Sequence, residues 1–257
     1  MSKHAANVRL FVDQPLRQGR EIAVSGGQAN YLTRVMRLQS GDVVRLFNGG
    51  DGEWLARISA VQRGWCELLV DAMLRAQHTE PGPALAFAPI KKEPMHVLVE
   101  KATELGAERL LPVLTRNTAA ERVNLDRMRA HAVEAAEQCG RLTIPEIADV
   151  TGLEALVDHW PERCPLLFLD ERGSGRPIAD AIAKCAGWSP GPAPPPGILV
   201  GPEGGFAAGE AESLRALAFV VPVSLGPRIL RAETAALAAL ACWQAFAGDW
   251  RAANDSE

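Results

Sequence analysis

Cysteine is scarce and scattered in this chain. Cys66, Cys139, Cys164, Cys185 and Cys242 are odd in number and form no Cys-x-x-Cys or Cys/His cluster, which argues against a disulfide framework or a structural zinc and suits a reducing cytosol. The five histidines have no ligand spacing, so no metal is assigned. Long apolar runs are also missing. The most apolar stretch, residues 232–247, is interrupted by Glu233, Thr234 and Gln244 and is too short to cross a bilayer comfortably. The opening residues, MSKHAANVRLFVD, lack the apolar core of a signal peptide, so a cytoplasmic protein with no membrane partner is expected. No G-x-G-x-x-G follows a strand and no G-x-x-x-x-G-K-[ST] occurs, which disfavours nicotinamide dinucleotides and nucleoside triphosphates. H-E-x-x-H and G-x-S-x-G are absent too, against a zinc protease or an α/β-hydrolase.

What is present is ordinary globular material, 257 residues with 47% apolar and 23% charged. A chain of this length buries roughly three quarters of its unfolded surface. The first 75 residues read mainly as short strands, at 8–12, 21–24, 42–48, 54–58 and 66–73, with one helix over 29–38 carrying Leu32, Val35 and Met36 at helical spacing. Along 53–58, alternation puts Trp54, Ala56 and Ile58 on one face and Glu53 and Arg57 on the other. Residues 76–83 form a polar linker containing prolines, and the rhythm then changes. Strands at 85–89, 110–114, 165–169, 197–200 and 219–224 alternate with helices at 93–105, 125–139, 151–158, 178–186, 209–217 and 231–246. Thr151 and Glu154 have capping-box spacing. Such alternation predicts a mostly parallel sheet covered on both faces. Residues 189–197, SPGPAPPPG, read as a passive surface loop.

The formal charge of −4 is unevenly divided. Residues 1–75 hold ten of the 27 positive and seven of the 31 negative side chains, leaving 17 and 24 for the rest. Nine of those ten are arginine, which pairs with phosphate through two parallel hydrogen bonds and stacks on bases. A small arginine-bearing RNA clamp is one reading of this; the other is a general preference for arginine, which outnumbers lysine 22 to 5.

Ligands of parallel sheets bind at the C-terminal ends of strands. Three strand-end loops stand out: Leu169-Asp170-Glu171-Arg172-Gly173, Val200-Gly201-Pro202-Glu203-Gly204-Gly205-Phe206, and 224–235, SLGPRILRAETA. Glycines there let a ligand lie against backbone. VGPEGGF and SLGPRILRAETA, with LTRVMRLQSGDVVRLFNGGDGEWLARI, LVEKATELGAERLLPVLTRNT and EAAEQCGR in the same order along the chain, strongly resemble the RsmE family of SPOUT-class RNA methyltransferases. The pattern departs at Asn30-Tyr31, where the family has a His pair.

The resemblance implies a PUA-like β-barrel over 1–75, a linker over 76–83 and a SPOUT α/β methyltransferase domain over 84–250 ending in a trefoil knot. True knots are nearly absent from proteins, so physical rules alone point to an unknotted sheet. It implies a homodimer that uses S-adenosylmethionine to methylate uridine N3 in the decoding region of small-subunit ribosomal RNA. The cofactor is expected against Leu169, Asp170, Val200, Gly201, Pro202, Glu203, Gly204, Gly205, Ser224, Leu225, Gly226, Ile229, Leu230 and Arg231, so a bulky Gly204 replacement is expected to abolish its binding. Removal of the N3 proton needs a carboxylate or a positioned arginine. Glu203, Glu233 and Arg231 are the candidates, although Glu203 alternatively holds loop amides and Glu233 alternatively favours the first turn of its helix. RNA contacts are expected from Arg9, Arg34, Arg37, Arg45 and Arg141.

Overall fold

Residues 8–119, 122–171, 175–185 and 196–251 are described by a computed structural model. They group into two units, one reaching Glu80 and including Ala136–Ile144, the other holding Pro81–Ala135 and the chain from Pro145. The Pro-rich residues 189–195 and the loop residues Arg172 and Gly173 lie outside the described residues.

In the first unit, strands β1 (Arg9–Phe11), β2 (Glu21–Ser25), β3 (Val43–Phe47), β4 (Glu53–Gln62) and β5 (Trp65–Arg75) form one sheet in the order β1-β3-β4-β5-β2. Only the β1–β3 pair is parallel. Alternating residues such as Ile22 and Val24, Ala56 and Ile58, and Cys66, Leu68 and Val70 build the core with Leu10, Val44 and Leu46. The expected helix over 29–38 is instead a short α1 (Gly26–Asn30) running into a π-helical turn, Tyr31–Val35, closed by the Met36 N–H on the Tyr31 carbonyl. A π turn needs an extra residue, so positions three apart no longer share a face. Leu32 is fully buried while Val35, assigned to the same face, is 67% exposed.

Glu53 also departs from the alternation. Its side chain is 1% exposed, because a bulge between Glu53 and Trp54 turns it inward and three arginines surround it. Arg9 Nε lies 2.6 Å from one carboxylate oxygen, Arg75 Nε 3.0 Å from the other, and Arg45 at 3.8 Å. Burial pushes the Glu53 carboxyl up, but the hydrogen bonds and charges of Arg75 and Arg9 outweigh it and hold the group below the usual range.

The same arginines fasten Ala136–Ile144, a segment that the expected boundaries assign to the second domain. Arg9 donates to the carbonyls of Ala136, Glu137 and Arg141, Arg75 donates to Gly140, and the Phe11 N–H donates to the Glu137 carboxylate. The Glu80 carboxylate accepts from Leu142 N–H, Thr143 N–H and the Thr143 hydroxyl. Arg141 is buried, with Nε 3.6 Å from Glu80 and a hydrogen bond to Thr143. This corrects the assignment of Arg9 and Arg141 as RNA contacts, since both guanidiniums are buried and committed to the unit's interior.

The second unit carries an all-parallel sheet. Its strands are β6 (Ala84–Phe87), β7 (Arg109–Leu114), β8 (Glu146–Ile147), β9 (Thr151–Gly152), β10 (Leu166–Leu169), β11 (Arg176–Pro177), β12 (Gly197–Val200) and β13 (Val220–Ser224). They run in the order β11-β13-β10-β12-β6-β7-β8, with β9 beside β7. β6 and β12 are buried throughout, as central strands of such sheets are. The helices are α2 (Lys92–Glu104), α3 (Leu125–Cys139), α4 (Leu153–Asp158), α5 (Ile178–Cys185), α6 (Ala208–Ala216) and α7 (Ala232–Phe246). The Thr151–Glu154 capping box does not form, because Thr151 pairs with Val113 as strand and Gly152 becomes the cap of α4. On α2, Lys101 reaches both Glu100, at 2.6 Å, and Glu104, at 2.8 Å, and so relieves their mutual repulsion.

Candidate active site

β13, β10 and β12 are adjacent in the sheet, so the loops leaving their C-terminal ends converge. They line a cavity of about 270 Å³, just below the usual range for small-molecule sites. Leu169 and Asp170 after β10, Val200, Gly201, Pro202 and Glu203 after β12, and Ser224, Leu225, Gly226, Ile229, Leu230 and Arg231 after β13 all line it. Three loops distant in sequence thus meet as the strand-end rule requires. Gly204, Gly205 and Glu233 stand outside the lining.

The loops after β10 and β12 are fastened from behind. The Asp170 N–H donates to the Val223 carbonyl, and its buried carboxylate accepts from Arg215 Nη2 at 2.7 Å and Nε at 3.0 Å. Asn117 donates to the Gly205 carbonyl at 3.0 Å and to that of Gly204 at 3.4 Å. Glu210 spans two loops, accepting from the N–H groups of Ala207 and Arg116. Gly205, at φ +68°, packs against the Glu171 carboxylate where any Cβ would collide. Gly204 differs, because a Cβ there meets only Asn117 at 3.5 Å. The steric block expected of a Gly204 replacement is therefore not supported. Gly226 is the better position: it lines the cavity, has φ +102°, and has nothing within 4 Å of its Cβ direction.

The cavity is amphipathic. Leu225, Leu230 and Val200 give it apolar wall, and Ile229 at its rim is 90% exposed, an apolar surface that a flat ligand can cover. Glu171, Glu203, Arg228 and Arg231 supply both signs of charge. Arg231 is solvent-exposed and caps α7, while Glu233 lies in that helix's first turn, where its charge meets the positive end of the helix dipole. Glu171, Phe206, Val223, Arg228, Ala232 and Ala235 complete the lining and were not singled out from sequence. All of these but Val223 stand inside the three motif loops, and the supporting Asn117 stands in the LVEKATELGAERLLPVLTRNT stretch; the supporting Glu210 has no such signal.

The RNA methyltransferase domain family matches residues 80–244, and the RNA methyltransferase PUA domain family matches 24–70. The ribosomal RNA small subunit methyltransferase E of Rickettsia conorii is 31% identical over 245 residues, covering 91% of this chain and 93% of that protein. The chain belongs to this methyltransferase E family. The member from Mycobacterium bovis is 32% identical over 96% of this chain and 95% of its own length. Among solved structures, a Legionella pneumophila methyltransferase in complex with S-adenosylmethionine has a TM-score of 0.81 at 27% identity, over 94% of this chain and 98% of that one. The Neisseria gonorrhoeae family member bound to S-adenosylmethionine gives 0.79 at 25%, over 95% and 99%. The fold class is accordingly the SPOUT α/β methyltransferase with an N-terminal PUA-like domain.

Proposed function

We propose that this chain transfers a methyl group from S-adenosylmethionine to N3 of a uridine in the decoding region of small-subunit (16S) ribosomal RNA, as a cytoplasmic homodimer. The convergence of the three motif loops on one amphipathic cavity carries this reading. The insertion of β13 between β10 and β11 supports a trefoil-knotted crossing of these loops. The cofactor supplies an electrophilic methyl on a sulfonium. Ile229, Leu225 and Leu230 offer it apolar cover, and the open backbone at Gly226 admits it closely. Such a transfer needs in-line placement of an activated nitrogen more than covalent help from the protein.

Loss of the N3 proton leaves negative charge on the uracil ring and its carbonyl oxygens. Arg231, exposed in the lining of the cavity, is our candidate to stabilise that charge, and Glu203 in the same lining is our candidate to receive the proton. Arg231→Ala is expected to lower the single-turnover transfer rate about 10²-fold, the scale of losing one preorganised charge-stabilising group. S-adenosylmethionine affinity is expected to change little. Stopped reactions across a cofactor series up to saturation measure both; an unchanged rate removes Arg231 from the chemistry.

In the PUA-like unit, Arg34 and Arg37 are exposed, Arg37 at φ +56°, and Arg45 is partly exposed but lies 3.8 Å from Glu53. Replacing Arg34 and Arg37 together by alanine is expected to weaken RNA binding roughly tenfold at low salt and to flatten its dependence on salt. Fluorescence anisotropy across a salt series reads this, and an unaltered slope places the RNA elsewhere. The proposed reaction itself is tested by incubating the protein with labelled S-adenosylmethionine and unmodified small subunits. Label in 16S RNA supports it, and label confined to transfer RNA or absent contradicts it.

A further inference from the structure

We infer that a second cavity in the methyltransferase unit binds a phosphodiester of the substrate RNA next to the methylated base. This cavity of about 500 Å³ lies where β6 leads into α2 and where the chain enters α3. Residues 76–257 hold 24 acidic against 17 basic side chains, yet among the described residues the wall of this cavity contains no carboxylate. It contains Lys91, Arg122 and Arg127, together with His96, His131 and Asn124. The three permanent cations are exposed and make no ion pair among the described residues; the Arg127 guanidinium donates to His131 Nε2 at 3.2 Å, and the Arg127 backbone N–H donates to Asn124 Oδ1. Two nearby acids reach the histidines of the wall but, among the described residues, pair with none of its three permanent cations. Glu100 is held by Lys101 at 2.6 Å and touches His96 at 3.4 Å, and Glu134 lies 3.6 Å from His131. His96 and His131 stack with their ring centroids 3.8 Å apart, and Met95 and Met128 line the same cavity.

Two further features point to an anion. Lys91 is the N-cap of the thirteen-residue α2, whose first N–H groups receive no side-chain cap, and the dipole adds positive potential at that end. The cavity is also tied to the cofactor site through backbone. The Ala88 N–H, on the stretch leading to Lys91, donates to the Val200 carbonyl at the cofactor-site edge of β12. The loop after β7 presents Asn117 to the carbonyls of Gly204 and Gly205, and two residues later Ala119 forms part of the cationic wall. A polyanion that delivers one base to the first cavity would pass its neighbouring phosphates over the second. Arginine and lysine lining without acidic partners suits phosphate, whose neutralisation dominates nucleic-acid affinity. This inference rests on the proposed RNA methylation only for the identity of the polyanion.

The test is the variant Lys91→Gln/Arg122→Gln/Arg127→Gln in the full chain, compared with wild type by anisotropy with labelled small-subunit RNA across a salt series, and by calorimetry with S-adenosylmethionine. The expected result is RNA affinity lowered about 10- to 100-fold and a log–log salt slope reduced by about 2, with cofactor affinity and melting temperature retained. RNA affinity and slope equal to wild type overturn the inference, whatever methyl transfer is seen. Retained RNA affinity with an altered oligomeric mass also overturns it, in favour of a partner chain's carboxylates filling the cavity. If the variant loses RNA affinity but wild type transfers no methyl to RNA, the phosphate site stands and the proposed reaction falls.

Discussion

Gly226→Leu is expected to lower S-adenosylmethionine affinity by at least about 100-fold, close to 3 kcal/mol, while the protein stays folded. Gly226 lines the cavity and no atom lies within 4 Å of an added Cβ, so a leucine there brings its bulk to the edge of the volume assigned to the cofactor. Its φ of +102° adds a backbone penalty of about 1–3 kcal/mol for any residue with a Cβ, which lowers the melting temperature without removing the sheet beneath. Gly204→Leu serves as the control, since its Cβ would face Asn117 at ordinary contact distance and lies outside the lining. Calorimetry on both variants separates the cases. Equal affinity in Gly226→Leu and wild type would mean that this cavity is not where the cofactor binds.

Glu53→Gln is expected to destabilise the first unit by about 3 kcal/mol, the lower end of the cost of breaking a buried ion pair. The lower end applies because Arg75 and Arg45 are 42% and 39% exposed and regain water, whereas Arg9, at 8%, is stranded. Arg9 also holds three carbonyls of Ala136–Arg141, so the loss extends to that segment. The pH dependence has a definite sign. Glu53 titrates below its ordinary value in the folded protein, so its contribution is complete above the ordinary carboxylate range and fades as pH falls through the depressed value. Glu80 behaves alike: burial raises it, but the Thr143 hydroxyl and the amides of Leu142 and Thr143 outweigh that. Wild type is therefore expected to lose stability on acidification, and Glu53→Gln to show a shallower acid limb. Denaturant melts from neutral to acid pH decide it; parallel curves for the two proteins would remove Glu53 as an acid-sensitive anchor.

Glycine-rich turns are more often structural than functional, and the motif loops were legible because they follow successive strand ends of an expected parallel sheet and carry the family's motifs; their convergence follows from the adjacency of β13, β10 and β12. Most helices and strands of the second unit follow from their apolar periods. The failures share a different origin. Glu53 and Arg9 look like surface residues of alternating strands, and nothing local reveals the bulge that turns Glu53 inward or the 127-residue separation across which Arg9 finds Ala136. The EQCGR run reads as a polar helix end, yet its backbone carbonyls are what Arg9 and Arg75 grip. The helix over 29–38 was misjudged for a related reason: periodicity assumes α-helical spacing, and a π turn shifts Val35 off the buried face. Likewise, net charge described the whole chain and hid a cationic wall within its acidic part, one without a carboxylate among the described residues.

The central claim, methylation of a ribosomal uridine at N3, is tested most directly by nucleoside mass spectrometry of 16S RNA from small subunits treated with this protein and S-adenosylmethionine. The account predicts one new N3-methyluridine per subunit, mapped to the decoding region. A methyl group on a ribose, on another base atom or on no nucleoside at all would contradict it.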